Sequence, residues 1–127
     1  MINEMTAKRI LLIDDEASIL TLARIGLKRA GWSVIIAGSG KEGIAKAETE
    51  QPDAIVLDVM MPEMDGLATL QQLQDNSLVK DIPVIFLTAK AQQADRRRFY
   101  ASGIKGFITK PFDPTTLASQ ISGFLGW

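Results

Sequence analysis

The feature that most constrains the fold is a short apolar run that ends in an acid. Residues 54–57 read AIVL and lead without a break into Asp58. Such an uninterrupted apolar run is typical of a strand buried on both faces of a parallel sheet. An acid at the end of that strand lies at the carboxyl edge of the sheet, where open α/β folds bind ligands. Asp58 is therefore the first candidate functional residue, and a helix cap is its alternative role.

Apolar segments alternate with helical patterns along the whole chain. The predicted strands cover residues 8–13, 32–37, 53–57, 82–87 and 105–109. The predicted helices cover residues 18–30, 44–50, 66–76 and 91–101, and a last helix begins near Pro114. Strands and helices that alternate across short loops indicate a parallel sheet with helices on both faces. We predict an α/β fold with a doubly wound five-stranded parallel sheet, strand order 2-1-3-4-5, in a flavodoxin-like three-layer sandwich.

Local signals mark several ends of these elements. Gly31 and Gly103 follow predicted helices and are expected to end them. Ser39 with Glu42 three residues later has the pattern of a capping box at a helix start. These signals place the loops between elements and therefore the residues that face the sheet edge.

Composition limits the chemistry that this chain can perform. The chain has 127 residues, a net charge of −1, and neither Cys nor His. This length predicts one domain, residues 1–127. Disulfides, His- or Cys-ligated metals and Ser-His-Asp catalysis are excluded, so acid–base or phosphoryl chemistry would use Asp, Glu, Lys or Thr.

Charge and hydropathy also bear on partners and location. The near-neutral charge gives no reason to expect direct binding of nucleic acid. No apolar run is long enough to cross a membrane, and the first residues lack the apolar core of a signal peptide. We therefore expect a cytoplasmic protein without membrane contact.

Polar residues follow the other predicted strands at the same edge of the sheet. Asp14 and Asp15 follow the first strand, Thr88 the fourth and Lys110 the fifth. The first and third strands are neighbours in the predicted order, so Asp14, Asp15 and Asp58 would lie close together. Three carboxylates repel one another unless a cation compensates them, and Mg²⁺ prefers oxygen ligands. Because Lys110 and Thr88 suit phosphoryl oxygens, this edge has the groups needed for phosphoryl transfer to an aspartate.

Each of these residues taken alone has a structural alternative. Asp15 and Thr88 could cap helices, and Lys110 could be an exposed loop lysine. Those roles do not explain why the acids, the hydroxyl and the lysine meet at one edge. Their joint placement favours a functional site.

The motifs at these positions resemble those of the receiver domain of two-component response regulators. They are LLIDDE, IVLDVMMPEMDG, PVIFLTA and GFITKPF, and the resemblance covers essentially the whole chain. It implies a phosphoacceptor signalling switch and not a turnover enzyme. In that family Asp58 would accept a phosphoryl group from a sensor histidine kinase or a histidine phosphotransfer protein. A downstream protein target is implied too, and nothing in the residues identifies it.

The resemblance also implies the supporting roles at the site. Mg²⁺ would be held by Asp14, Asp15, Asp58 and the main-chain carbonyl of Met60. Asp15 matches the principal metal-binding acid, and Asp14 would act partly through water. Thr88 and Lys110 match the residues that bind the phosphoryl oxygens.

A conformational switch is part of the same resemblance. Phe107 matches the ring that turns inward when Thr88 moves toward the phosphate, and Lys110–Pro111 matches a cis peptide. Phe107 lacks the hydroxyl of the Tyr that is commoner at this position in the family.

Met60 and Lys90 lie two residues beyond Asp58 and Thr88, and neither side chain is suited to orient an attacking water. We therefore expect a long-lived acyl phosphate.

A glycine motif offers a rival function. Gly38–Gly43 fits G-x-G-x-x-G between a strand and a helix, which is the pattern of a nucleotide- or flavin-binding α/β protein. That fingerprint normally follows the first strand, at the centre of the sheet, whereas this one follows a predicted edge strand. It also leaves Asp14, Asp15, Thr88 and Lys110 without a role, so we favour the phosphoryl site.

Two surface features have open interpretations. The arginine run at residues 96–98 is either a solvated helix face or a docking or dimer surface, so we consider a phosphorylation-dependent homodimer through the face formed by residues 91–127. Trp127 is expected to be exposed beside a polar helix and is a candidate anchor for a partner.

The output is either a diffusible effector or a phosphorelay intermediate. The chain could also be cut from a longer protein, although its N-terminal Met and the absence of a linker favour a complete chain.

Overall fold

The computed structural model describes residues 7–89 and 93–127, except for the side chains of Gln93 and Ala94. The strands are β1 Arg9–Ile13, β2 Ser33–Ala37, β3 Ala54–Asp58, β4 Val84–Thr88 and β5 Gly106–Thr109. The helices are α1 Ala17–Arg29, α2 Gly40–Glu50, α3 Gly66–Gln74, α4 Gln93–Ala101 and α5 Leu117–Leu125.

The strands form one sheet in the order β2-β1-β3-β4-β5, and every neighbouring pair is parallel. This confirms the predicted α/β fold and its strand order. The order reverses between β1 and β3, which are neighbours at the centre of the sheet. A crevice at the carboxyl edge between two such strands is the usual ligand position in an open α/β sheet.

Two apolar cores cover the two faces of the sheet, which explains why β3 and β4 are buried along their whole length. Alternate residues of a strand point to opposite faces. In β1, Leu11 and Ile13 join the core with residues of α2, α3 and α4, whereas Ile10 and Leu12 join the core with residues of α1 and α5. The three layers are therefore helices, sheet and helices.

The local signals for helix ends behave as expected. Gly31 and Gly103 have φ angles of +87° and +97°, the left-handed conformation that glycine adopts at low cost. Ser39 caps α2, because its Oγ accepts the N–H of Glu42 at 3.1 Å. Glu42 Oε1 accepts the N–H of Gly38 at 2.7 Å, so the return bond reaches one residue before the cap.

Several predicted boundaries were wrong by a few residues. The capped helix α2 begins at Gly40 and not at Ile44. The last helix begins at Leu117, three residues after Pro114. Asp113 explains that delay, because its Oδ1 accepts the N–H of Thr115 at 2.9 Å and builds a separate turn first. Of the fourth predicted helix, Ala91 and Gln92 lie outside the described residues.

None of the helices in the described part of the chain has the length and apolar character needed to cross a membrane.

Candidate functional site

Two acids meet where β1 and β3 end. Asp58 is the last residue of β3, and Asp14 directly follows β1. Because these strands are parallel neighbours, both side chains lie at the same edge of the sheet. Each residue is only 1% exposed, and their carboxylates place oxygens within 4.8 Å of each other. That arrangement confirms the predicted proximity of Asp14 and Asp58.

Lys110 lies between these acids. Its Nζ is 2.9 Å from Asp14 Oδ2, 3.3 Å from Asp58 Oδ1 and 3.2 Å from Glu16 Oε1. The carboxylates of Asp14, Glu16 and Asp58 each place an oxygen within 4.8 Å of the others. One ammonium therefore faces three carboxylates, and negative charge is in excess at this edge.

Some buried oxygens of this cluster have no hydrogen-bond donor. Asp58 Oδ1 accepts the N–H of Met60 at 3.3 Å, but Asp58 Oδ2 has no hydrogen-bond partner among the described residues. Asp14 Oδ1 accepts the N–H of Glu16 at 2.9 Å, whereas Asp14 Oδ2 has only its ion pair with Lys110. Buried polar atoms are normally satisfied, so Asp58 Oδ2 in particular remains available to a ligand. An oxygen-rich site with excess negative charge fits Mg²⁺.

The electrostatics of the cluster shift two pKa values. Burial and the charge of Asp14 raise the pKa of Asp58 to about 7, although Lys110 and the Met60 N–H act in the opposite direction. Burial alone would lower the pKa of Lys110, but its close ion pair with Asp14 and the charges of Asp14 and Asp58 raise it. Lys110 is therefore a permanent cation here. Asp58 is partly protonated near neutral pH until a further cation offsets the repulsion.

Thr88 and Pro111 lie beside this cluster. Thr88 is the last residue of β4 and is fully buried, one residue beyond Leu87, which pairs with Asp58 in the neighbouring strand. Its carbonyl accepts the N–H of Lys110 at 2.8 Å, which ties the end of β4 to the residue after β5. The Lys110–Pro111 bond is cis, as predicted.

Asp15 and Glu16 differ from the sequence prediction. Asp15 was predicted to be the principal metal ligand, but its side chain is exposed and lies outside the cluster of three acids. Glu16 was not predicted, although its carboxylate belongs to that cluster and pairs with Lys110. The acid at position 16 was visible in the sequence, but no local pattern showed that its side chain turns back to this edge. The metal role of Asp15 stays a prediction.

The predicted switch ring lies between β5 and α4. Phe107 is half-buried, and its ring is 5.8 Å from that of Tyr100 and 6.4 Å from that of Phe99. The guanidinium of Arg96 lies over the same ring, 5.2 Å from its centroid. Phe107 therefore fills a position that is partly core and partly surface.

The structure places the remaining residues singled out in the sequence, Met60 and Trp127, at exposed positions. The side chain of Met60 is 56% exposed, and its amide donates to Asp58. Lys90 lies outside the described residues. Trp127 is 39% exposed, but it does not lie beside the polar helix as predicted. Its ring meets the edge of Trp32 with the centroids 5.5 Å apart, and Lys8 lies over it.

The glycine motif after β2 has a structural explanation. A Cβ on Gly40 would lie 2.2 Å from Thr69 Oγ1, and a Cβ on Gly43 would lie 2.3 Å from Ile13 Cδ1. Both glycines therefore allow α2 to approach α3 and the sheet closely. Because β2 is an edge strand, this loop also lies away from the crevice at the centre of the sheet. The motif needs no bound nucleotide to account for these two glycines.

Comparisons with known proteins agree with this geometry. The family model described as the response regulator receiver domain matches residues 10–122. A solved structure of the chemotaxis protein CheY4 of Vibrio cholerae is 31% identical, with a TM-score of 0.86 over 93% of this chain and 98% of that one.

Curated relatives are longer than this chain. It is 42% identical to the alkaline phosphatase synthesis transcriptional regulatory protein PhoP of Bacillus subtilis, over 93% of this chain and 48% of PhoP. It is 40% identical to the DNA-binding dual master transcriptional regulator RpaA of Synechocystis, over 92% of this chain and 48% of RpaA. The chain thus spans about half the length of these relatives. From its sequence and its fold alike, the chain belongs to the response regulator receiver domain family of two-component systems.

Proposed function

We propose that this chain is a phosphoacceptor switch whose Asp58 receives a phosphoryl group from a phosphohistidine. The observation that carries the proposal is Asp58 Oδ2, a buried carboxylate oxygen without a hydrogen-bond partner in the described chain, beside Asp14 and Lys110. An oxygen with no donor bound to it keeps its lone pairs for a nucleophilic attack. Asp14 Oδ2 is less available, because it already contacts the ammonium of Lys110 at 2.9 Å.

The transfer is an in-line displacement at phosphorus. A bond forms between Asp58 Oδ2 and phosphorus, while the bond from phosphorus to the donor imidazole nitrogen breaks and leaves its electron pair on that nitrogen. The chain contains no His, so the donor imidazole belongs to a sensor histidine kinase or a histidine phosphotransfer protein. Lys110 offsets negative charge on the oxygens around phosphorus, because its ammonium already lies 3.3 Å from Asp58.

The metal ligands follow from the same cluster and from the family resemblance. Asp14 and Asp58 supply the buried oxygens, while Asp15 and the carbonyl of Met60 complete the predicted ligand set. Mg²⁺ bound there would offset the charge shared by the carboxylates and the phosphoryl oxygens. With the cation bound, Asp58 would stay ionised before the transfer.

The phosphorylated state would be read through Thr88 and Phe107. A hydroxyl drawn toward the phosphoryl oxygens leaves space beside β4, and the half-buried ring of Phe107 turns into it. The chain thereby acts as a cytoplasmic signalling switch and not as a turnover enzyme. Its output reaches a protein target, as a diffusible effector, as a phosphorelay intermediate or as one part of a longer protein.

The test is incubation with acetyl phosphate and Mg²⁺, followed by intact mass measurement. We expect wild type to gain the mass of one phosphoryl group and Asp58→Asn to gain none. Asp75→Asn is a matched control, since it removes an exposed acid at the end of α3 and should be phosphorylated like wild type. Equal phosphorylation of the Asp58→Asn variant would overturn the proposal.

A further inference from the structure

Met60 is an exposed methionine two residues after Asp58. Its side chain is 56% exposed and borders a surface cavity of about 410 Å³ that Val59, Leu67 and Arg98 also line. Its amide donates to Asp58 Oδ1 at 3.3 Å, so the main chain holds this residue beside the buried acid. A thioether is therefore accessible to small molecules in solvent and adjoins the acid cluster.

The other two methionines of the described chain are better protected. Met61 is only 9% exposed and belongs to the apolar core. Met64 is partly buried, and its Sδ accepts a hydrogen bond from Gln72 Nε2 at 3.1 Å. Oxidation of a side chain in solution follows its exposure, so Met60 is the methionine of this loop that an oxidant reaches most easily.

Composition gives this thioether a particular chemical importance. The chain contains no Cys, so thiol oxidation and disulfide exchange are not available to it. Methionine is the other side chain that takes up one oxygen atom reversibly, because specific reductases return the sulfoxide to the thioether. A reversible two-electron oxidation of this chain would therefore use methionine.

We propose that Met60 is a reversible oxidation site whose sulfoxide shortens the lifetime of the phosphorylated state. With hydrogen peroxide as oxidant, a lone pair of Met60 Sδ forms a bond to one peroxide oxygen and the O–O bond breaks. The proton of the transferred oxygen passes to the departing one, which leaves as water. Sulfur loses the two electrons that the peroxide gains. The oxidation itself is independent of phosphoryl chemistry, whereas its effect on lifetime rests on the function proposed above.

The oxidised side chain has the shape of a glutamine. Its new oxygen is attached to Sδ, the atom that corresponds to the Cδ of glutamine, so both oxygens lie the same number of bonds from Cα. A thioether sulfur is a weak hydrogen-bond acceptor, whereas oxidation makes this side chain polar. Met60 thereby changes from a residue that cannot orient a water into one that can.

An oriented water would speed the loss of the phosphoryl group. The sulfoxide oxygen accepts a hydrogen bond from the water and holds the water oxygen toward phosphorus. A bond forms between that oxygen and phosphorus, while the bond from phosphorus to Asp58 Oδ2 breaks and leaves the carboxylate. The water proton passes to the departing phosphate. The sulfoxide acts only by positioning and is unchanged at the end.

The first experiment maps the site of oxidation. The protein is treated with limiting hydrogen peroxide, and the rate of oxygen uptake is measured at each methionine by peptide mass spectrometry. We expect Met60 to be oxidised about tenfold faster than Met61 and Met64. The two methionine sulfoxide reductases, one for each epimer, with dithiothreitol as reductant, should restore the thioether. Equal rates at the three residues would overturn the assignment of Met60.

The second experiment measures the lifetime. Partly oxidised protein, freed of peroxide, is phosphorylated with acetyl phosphate and Mg²⁺, and its decay is followed by intact mass, which separates oxidised from unoxidised molecules in one sample. We expect the oxidised molecules to lose the phosphoryl group about three- to tenfold faster. Met64→Leu is the matched control and should keep this response. Met60→Leu retains every other methionine and should lose it.

A further variant tests the water-orienting step directly. Met60→Gln places an oxygen at the position of the sulfoxide oxygen and should decay like oxidised wild type without peroxide. Equal decay of oxidised and unoxidised wild type would overturn the effect on lifetime, and so would an undiminished response in Met60→Leu. Absence of any phosphoryl adduct would instead contradict the proposed function, and the peptide map would still decide whether Met60 is the oxidation site.

Discussion

The carboxyl ends of β1 and β2 are neighbours, and each carries a motif that suggests a ligand. After β1, Asp14 is buried with an oxygen that has only an ion pair, and Asp58 beside it has an oxygen with no partner in the described chain. After β2, the loop is internally satisfied, since Glu42 and Ser39 bond to backbone N–H groups there. Both places carry a suggestive sequence motif, but only the site after β1 has buried polar atoms without hydrogen-bond partners, and that is what identifies it as the ligand site.

The two regions also differ in electrostatic cost. Burial of the Asp14 and Asp58 carboxylates beside the exposed Glu16, against one lysine, lowers stability and is expected to persist only where a ligand compensates the charge. The glycine loop stabilises the fold by bringing α2 close to Ile13 and Thr69. Each difference can be tested by a substitution that affects one region and leaves the other unchanged.

The largest expected effect is the pH dependence of stability without divalent cations. Asp58 has a pKa of about 7 in the folded chain against an ordinary value of 3.8. Between these values the folded state binds a proton that the unfolded state has lost, so the free energy of unfolding falls as pH rises through this window. We expect wild type to lose roughly 2–4 kcal/mol more than Asp58→Asn in urea unfolding across that range. If the free energy of unfolding changed equally with pH in the two proteins, ionisation of Asp58 would carry no cost in the folded chain.

Substitution in the glycine loop should change stability and not phosphorylation. Gly43→Ala places a Cβ 2.3 Å from Ile13 Cδ1, so the core must shift, and we expect a loss of about 1–3 kcal/mol. Gly38→Ala is the control, because its nearest atom would be Glu42 Oε1 at 3.6 Å. Urea unfolding measures both, and acetyl phosphate should label all three proteins equally. Loss of labelling in Gly43→Ala at full stability would give the loop a functional role.

Mg²⁺ affinity separates the two acids that follow Asp14. Glu16 is already compensated by Lys110 at 3.2 Å, whereas Asp15 is exposed at the same edge. We expect Asp15→Asn to weaken Mg²⁺ binding about tenfold in calorimetric titration and Glu16→Gln about threefold or less. The reverse order would identify Asp14, Glu16 and Asp58 as the ligand set.

The smallest expected effect concerns the lifetime of the acyl phosphate. The exposed thioether of Met60 next to Asp58 cannot orient a water, but an amide there could. Met60→Asn should shorten the half-life about three- to tenfold, and Met60→Leu should leave it unchanged. Decay of radiolabelled protein measures both variants. Equal half-lives for Met60→Asn and wild type would remove Met60 from the control of dephosphorylation.

Most of the fold could be predicted because strand order depends on patterns that are local in sequence. The apolar run before Asp58 and the short loops were enough to place Asp14, Asp58 and Lys110 at one edge. The start of α5 was missed because Asp113 forms a turn with its own side chain, and an acid before a proline gives little sign of that in the sequence.

Contacts between distant segments were harder to predict. Trp127 turns back toward Trp32 because Gly126 adopts a left-handed conformation with a φ of +72° after α5, and the N–H of Trp127 bonds to the Ser122 carbonyl. Glu16 was missed for a similar reason, since its reach to Lys110 spans most of the chain. A sequence pattern indicates which face a residue occupies more readily than which distant side chain it meets.

The most direct measurement of the central claim is chemical mapping of the phosphorylated residue. Borohydride reduces an aspartyl phosphate to homoserine, and tandem mass spectrometry then locates the homoserine in the chain. After phosphorylation in the presence of Mg²⁺, we predict homoserine at position 58 and at no other aspartate. Homoserine at position 14 or 15, or its absence from a protein that has gained a phosphoryl group, would contradict the assignment of Asp58.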